Sequence, residues 1–173
     1  MKKIILSMVL IACSFVLKAQ NSAVDQLFAK YADKDGFTTV SISKAMFSLF
    51  ASESESKDEF NKSVRGLESI RILTPDSAIQ AQMKGKLNFY NEICKSLPIA
   101  QYEELMSVKE KDQVFKMLIR RNGNIITEFL MIGGGNDNVL ICIIGNIDLK
   151  SISKLSKSMN IDGMENIDKV GKN

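Results

Sequence analysis

The chain contains no histidine and no tryptophan. Without imidazole there is no Ser-His-Asp triad, no imidazole acid or base at neutral pH and no histidine-ligated zinc. Cysteine is scarce, three residues in all, and Cys13 lies inside the apolar leader described below. Cys94 and Cys142 are too few for a disulfide scaffold. Their apolar neighbours, Ile93 for one and Ile141, Ile143 and Ile144 for the other, mark them as small core hydrophobes. One long-range disulfide is the alternative in an oxidising compartment. An excess of one charge is also missing. Lys+Arg is 23 and Asp+Glu is 20, but Lys2, Lys3 and Lys18 all precede residue 20 and no acid does, which leaves 20 of each sign in residues 20–173. That balance calls for neither nucleic acid nor an anionic membrane as partner.

A run long enough to cross a bilayer is lacking too. Ile4 through Leu17 is apolar and uncharged, yet shorter than the roughly 20 residues a spanning helix takes. Met1, Lys2 and Lys3 precede it and Lys18-Ala19-Gln20 breaks it, so residues 1–19 read as a cleavable export signal. Two processing routes fit. A simple cut after Ala19 starts the chain at Gln20, whereas the lipobox Leu10-Ile11-Ala12-Cys13 would lipidate Cys13. The simple cut is favoured, because Ser14-Phe15-Val16-Leu17 would place an apolar stretch where a lipid anchor needs a polar tether. The expected organisation is a signal over 1–19, one α+β domain over 20–160 and a polar tail over 161–173. The expected location is periplasmic or envelope-associated, with membrane anchoring only through a lipidated Cys13.

What is present is patterned. Ser22 and Asp25 form a capping box ahead of Val24, Leu27, Phe28 and Tyr31 at helical spacing. Residues 37–43 alternate as a half-buried strand. A second helix follows with Ala45, Met46, Leu49 and Phe50 expected inward, and a third opens at Ser56 and Glu59 and carries Phe60, Val64 and Leu67. Ser69 to Leu73 is a short strand. Thr74-Pro75-Asp76 starts a long helix over about 76–97, which Pro98 stops. Four apolar segments then follow, 102–109, 113–120, 125–132 and 138–145, at the spacing of an antiparallel meander. The fold expected is therefore α+β, an antiparallel sheet with a C-terminal four-stranded meander and helices mainly on one face. Residues 139–144 do not alternate, which demands cover on both faces. The first long hairpin is read with a three-residue loop ending at a left-handed Gly123, setting Phe115 opposite Phe129 and Lys116 opposite Glu128. Asp148 caps a last helix with Leu149, Ile152, Leu155 and Met159 inward.

Candidate chemistry is thin. Asp33-Lys34-Asp35-Gly36 begins like a calcium loop, but the glycine comes fourth and position twelve is Lys44, so a helix-to-strand turn explains it. Gly133-Gly134-Gly135 lies between two strands rather than before a helix, which makes it a turn and not a phosphate loop. Glu103 and Glu104 are adjacent on a strand and point to opposite faces. The acids Glu53, Glu55, Asp58 and Glu59 lie on a loop and helix start. No residue is singled out as catalytic, cofactor-binding or metal-ligating, and no cofactor is expected. Lys150, Lys154 and Lys157 share one face of the last helix, read as solvated, with docking of an anionic partner as the alternative.

The segments Val40-Ser41-Ile42-Ser43-Lys44-Ala45-Met46-Phe47, Ile70-Arg71-Ile72-Leu73, Tyr102 to Val108, Phe115 to Arg120 and Gly145-Asn146-Ile147-Asp148-Leu149 resemble the exported bacterial proteins grouped as domain of unknown function 4252. The resemblance covers most of residues 22–160. It implies an envelope protein, some relatives carrying a lipoprotein signal, and hints at envelope stress. It brings no catalytic residues. Two readings follow. The first is a non-catalytic exported protein that binds another envelope protein through the sheet or the lysine-bearing helix. The second is an envelope hydrolase or small-ligand-binding protein using carboxylates in a cleft.

Overall fold

The computed structural model of the protein describes residues 22–53, Val64 and 66–148, the side chains of 50–53 aside. Helix α1, Ala23–Tyr31, opens on the expected capping box: the Ser22 hydroxyl accepts from the Asp25 N–H and the Asp25 carboxylate accepts from the Ser22 N–H, both at 3.1 Å. Two donors that the first turn cannot satisfy internally are thereby paired. After the turn at Gly36 the chain runs through β1 (Phe37–Ser43), α2 (Lys44–Glu53), β2 (Leu67–Pro75), α3 (Ser77–Gln82) and α4 (Phe89–Ile93). A 3-10 turn (Ile99–Gln101) leads into β3 (Glu103–Lys109), β4 (Gln113–Asn122), β5 (Ile125–Gly135) and β6 (Val139–Ile147).

All six strands pair antiparallel in the order β1-β2-β6-β5-β4-β3. The meander of β3 to β6 is present, and β2 docks on β6 with β1 outside it. This central place explains why β6 does not alternate. Leu140 and Cys142 enter the core of one face, Ile141 and Ile143 that of the other. On the first face α1 and α4 lay Val24, Leu27, Phe28, Phe89 and Ile93 over Leu118, Leu130, Ile132 and Leu140. Each such side chain contributes roughly 1.5–3 kcal/mol by leaving water. On the second face the buried cluster takes only Phe47 and Val64 from outside the strands among the described residues. Among the described residues the helices thus pack mainly on the first face.

Several expectations need correction. The β4–β5 loop has two residues, not three: Asn122 pairs with Ile125, and a bulge at Thr127 follows. Phe115 therefore faces Gly133 and Lys116 faces Ile132, while Glu128 pairs with Arg120. The slip from the expected register is even up to the bulge, so Phe115, Met117, Ile119, Phe129 and Met131 stay on one face with new partners; past the bulge the faces swap, and Ile126 joins them while Ile125 is exposed. Gly123 does take a positive φ, 59°. The helix over 76–97 is broken, because Gly85 turns left-handed (φ 74°) after α3 and Asn88 caps α4 afresh by accepting from the Asn91 N–H. In α2 it is Phe47 that is buried, while Ala45, Met46 and Leu49 are exposed. Apolar residues surround most of that helix, so their spacing does not select one face, and the largest described ring goes in. Leu67, expected at the end of the third helix, opens β2, and most of that helix lies outside the described residues. Cys94 and Cys142 are both free thiols. No helix among the described residues is long and apolar enough to cross a membrane.

Candidate functional site

Charged groups in the sheet are committed to one another. Asp25 holds Arg71 at 2.7 Å, Glu103 holds Arg121 at 2.7 Å, and Glu104 pairs with Lys116. Glu92 accepts from Lys30 and from the Tyr31 hydroxyl, each at 2.6 Å. Burial alone would raise the Asp25 and Glu92 carboxyls; hydrogen bonds and charge from Arg71 and Ser22, and from Lys30 and Tyr31, more than offset it and hold both below their ordinary values. Glu128 is the most enclosed acid, 4% exposed under the first face. Its carboxylate meets Arg120 at 2.6 Å and lies 3.8 Å from the Cys142 sulfur. Burial, then the Glu128 charge, push the Cys142 thiol up to about 12, and the same two causes raise Tyr102. Burial also raises Cys94. A protonated thiol is a poor nucleophile and a poor metal ligand; the Arg120–Glu128 pair and the Glu128–Cys142 contact cross between strands and tie them together. Among the described residues no cluster of acids and thiols could hold a metal ion.

The second face is different. Where β2 ends and β6 begins, a trough of about 680 Å³ crosses the sheet. Its apolar floor comes from four strands: Met106 and Val108 of β3, Phe115 of β4, Met131 of β5 and Val139 of β6. The glycine triplet helps to shape it. Gly133 stands opposite Phe115 with no side chain of its own, and Val139 leans over its bare backbone. A Cβ at Gly134 would strike Asn88 and Tyr90 on the other face, and one at Gly135 the Asp112 carbonyl. Close backbone approach therefore accounts for all three glycines, which end β5 and pair with β4 rather than form the expected turn; the turn is made by Asn136, Asp137 and Asn138.

The rim is polar and firmly built. Asn138, buried, donates to the Leu87 and Gly135 carbonyls and the Gln80 side chain, and accepts from the Phe89 N–H at 2.9 Å. Gln80 donates to the carbonyls of Gly135 and Asn136. Asp76, which caps α3 through the Ile79 N–H at 2.7 Å, and Asp137 are the charged residues of the described lining, with no base beside them. Around the 84–95 and 109–113 segments lies a second cleft of about 720 Å³, lined by Lys84, Lys86, Lys95, Lys109 and Lys111 among others. The two clefts meet at Gln113.

Of the residues weighed for chemistry from the sequence, Gly134 and Gly135 line the second cleft, and the other described ones line neither. Cys13, and Lys150, Lys154 and Lys157 with the last helix, lie outside the described residues, as do Glu55, Asp58 and Glu59. Sequence reasoning missed Met106, Phe115 and Met131 as cleft residues, and Asn138 as their support. The only signal was the methionine and β-branched content of the meander, which reads equally well as core.

A family model described as Domain of unknown function (DUF4252) matches residues 31–155. No curated protein and no solved structure matches the chain.

Proposed function

The chain belongs to the family Domain of unknown function (DUF4252), and from that premise we propose that it is an exported, non-catalytic protein of the cell envelope that binds another protein on the second face of its sheet. The observation that carries this reading is the trough, a wide apolar floor with a methionine-rich lining and a fixed polar rim. Apolar surface left open in this way marks a place for a partner, and methionines adapt to varied side chains. Asp76 and Asp137 favour a partner segment that carries apolar residues flanked by lysine or arginine. The leader over 1–19 supports export. Five carboxylates are already tied to bases, which leaves hydrolysis by paired acids with little to work from. A small ligand is the second reading, because the trough has the volume of a ligand site.

A photo-crosslinking residue placed at Val108 in cells tests the proposal against one placed at Ser107, which points to the opposite face. One discrete protein adduct from position 108 and none from 107 is expected. Equal labelling, or no protein adduct at all, overturns the reading; a small molecule retained in native mass spectrometry would then favour the second. The mass of the protein recovered from the envelope should correspond to a chain beginning at Gln20. Acylated Cys13 would make it an anchored lipoprotein, and an uncleaved Met1 would refute export.

A further inference from the structure

The sheet is open at both ends, and the two edge strands are protected very differently. β3 carries Glu103, Glu104 and Lys109, and a bulge interrupts its pairing with β4 between Glu104 and Met106. Charge and a bulge are the usual devices against unwanted strand pairing. β1 has neither. Phe-Thr-Thr-Val-Ser-Ile-Ser holds no charge and no proline, and its seven residues pair with β2 without a register shift. Among the described residues, Thr38–Ile42 make no backbone hydrogen bond beyond the β2 ladder. Alternate N–H and C=O groups of an edge strand point outward, ready for another strand. Apolar side chains flank this edge on the second face: Val40 is 36% exposed, Met46 46% and Leu49 63%.

We propose that β1 pairs with β1 of a second copy, joining two sheets about a twofold axis at Val40. The strand is suited to its own image. With Val40 opposite Val40, Thr39 meets Ser41 and Thr38 meets Ile42, so β-branched residues and hydroxyls oppose one another and no like charges do. Residues 20–173 also carry equal numbers of acids and bases, so two copies do not repel. Val40 and Ile42 share the face of Ile72 and Ile70, so their side chains stand on the same side of the joined sheet. A twofold interface of this kind is isologous and closes at two copies.

Sedimentation of the purified exported protein tests this. The wild type should sediment as a concentration-dependent dimer. Val40→Lys, which opposes two ammonium groups on the axis, should sediment as a monomer that still unfolds cooperatively, at a melting temperature that no longer depends on protein concentration. Ser107→Lys, on the other edge, should remain dimeric. A monomeric wild type at every concentration, or a Val40→Lys protein that still dimerises, overturns the proposal. Should Val40→Lys not fold, amide exchange of wild-type Thr38–Ile42 decides: protection that rises with protein concentration supports the pairing, and protection independent of it refutes it.

Discussion

On the first face of the sheet, α1 and α4 close over Leu118, Leu130, Leu140 and Cys142, and the acid that enters, Glu128, is held by Arg120. On the second face, Phe115, Val108 and Val139 line an open trough whose two acids meet no base in its described lining. Both faces are built from alternate residues of the same strands, so composition does not separate them. Each face seals a cluster of apolar residues, so the contrast lies between that sealed surface and the open trough at one end of the second face. A polar group sealed among partners stabilises the fold and is chemically silent, whereas apolar surface left open is available to a partner. Substitutions that break the fold should therefore concentrate on the residues sealed in the two buried clusters, Leu130 and Phe129 among them, and a substitution that affects binding alone on the exposed trough residue Val108.

The largest effect is expected from Leu130→Ala. Leu130 has no exposed surface and sits on the central strand β5, so the lost contacts and residual cavity should cost about 2–5 kcal/mol in urea unfolding. Asn138→Leu comes next. It strands the Phe89 N–H and the Leu87 and Gly135 carbonyls, at about 2 kcal/mol, and should loosen the trough's rim as well. A smaller cost, about 1–2 kcal/mol, is expected for Gly123→Val. Space is not the reason, since nothing lies within 4 Å of an added Cβ; the left-handed φ of 59° is what a β-branched residue resists. An unchanged midpoint for Leu130→Ala would break the contrast between the sealed surface and the trough.

The smallest stability effect is pH-dependent. Asp25 and Glu92 have folded carboxyls held below their ordinary values of 3.8 and 4.5. Their contribution is fully present above about 4.5, where both are ionised in either state, and is lost as pH falls through the lower folded values. Arg71→Leu should release Asp25 and flatten this acid limb in melting curves between pH 5 and pH 2, while leaving the trough intact.

Much of the scaffold can be read from residues. The bounds of β1 follow from strict alternation over 37–43, and the double burial of β6 from the unbroken run at Val139 to Ile144. The helix at Ser22 and Asp25 declares itself by its caps. What escapes reading has physical causes. Nothing about Thr127 announces a bulge, so the hairpin register shifts by four residues while Phe115, Met117, Ile119, Phe129 and Met131 keep one face and Ile126, not Ile125, joins them. Gly85 breaks a helix whose apolar spacing continues past it. The trough draws on β3, β4, β5 and β6, and on a gap over Gly133 that exists only once Phe115 stands opposite, so local pattern does not reveal it.

The most direct test titrates the partner crosslinked from position 108 against the wild type and Val108→Asp. Val108 is 42% exposed, so the substitution should change stability by no more than about 0.5 kcal/mol. It places a charge on the apolar floor, and affinity is expected to fall about tenfold or more, roughly 1.4 kcal/mol or beyond. Leu130→Ala, studied under conditions where it remains folded, should bind as the wild type does. Undiminished affinity in Val108→Asp would contradict the assignment of the second face as the binding face.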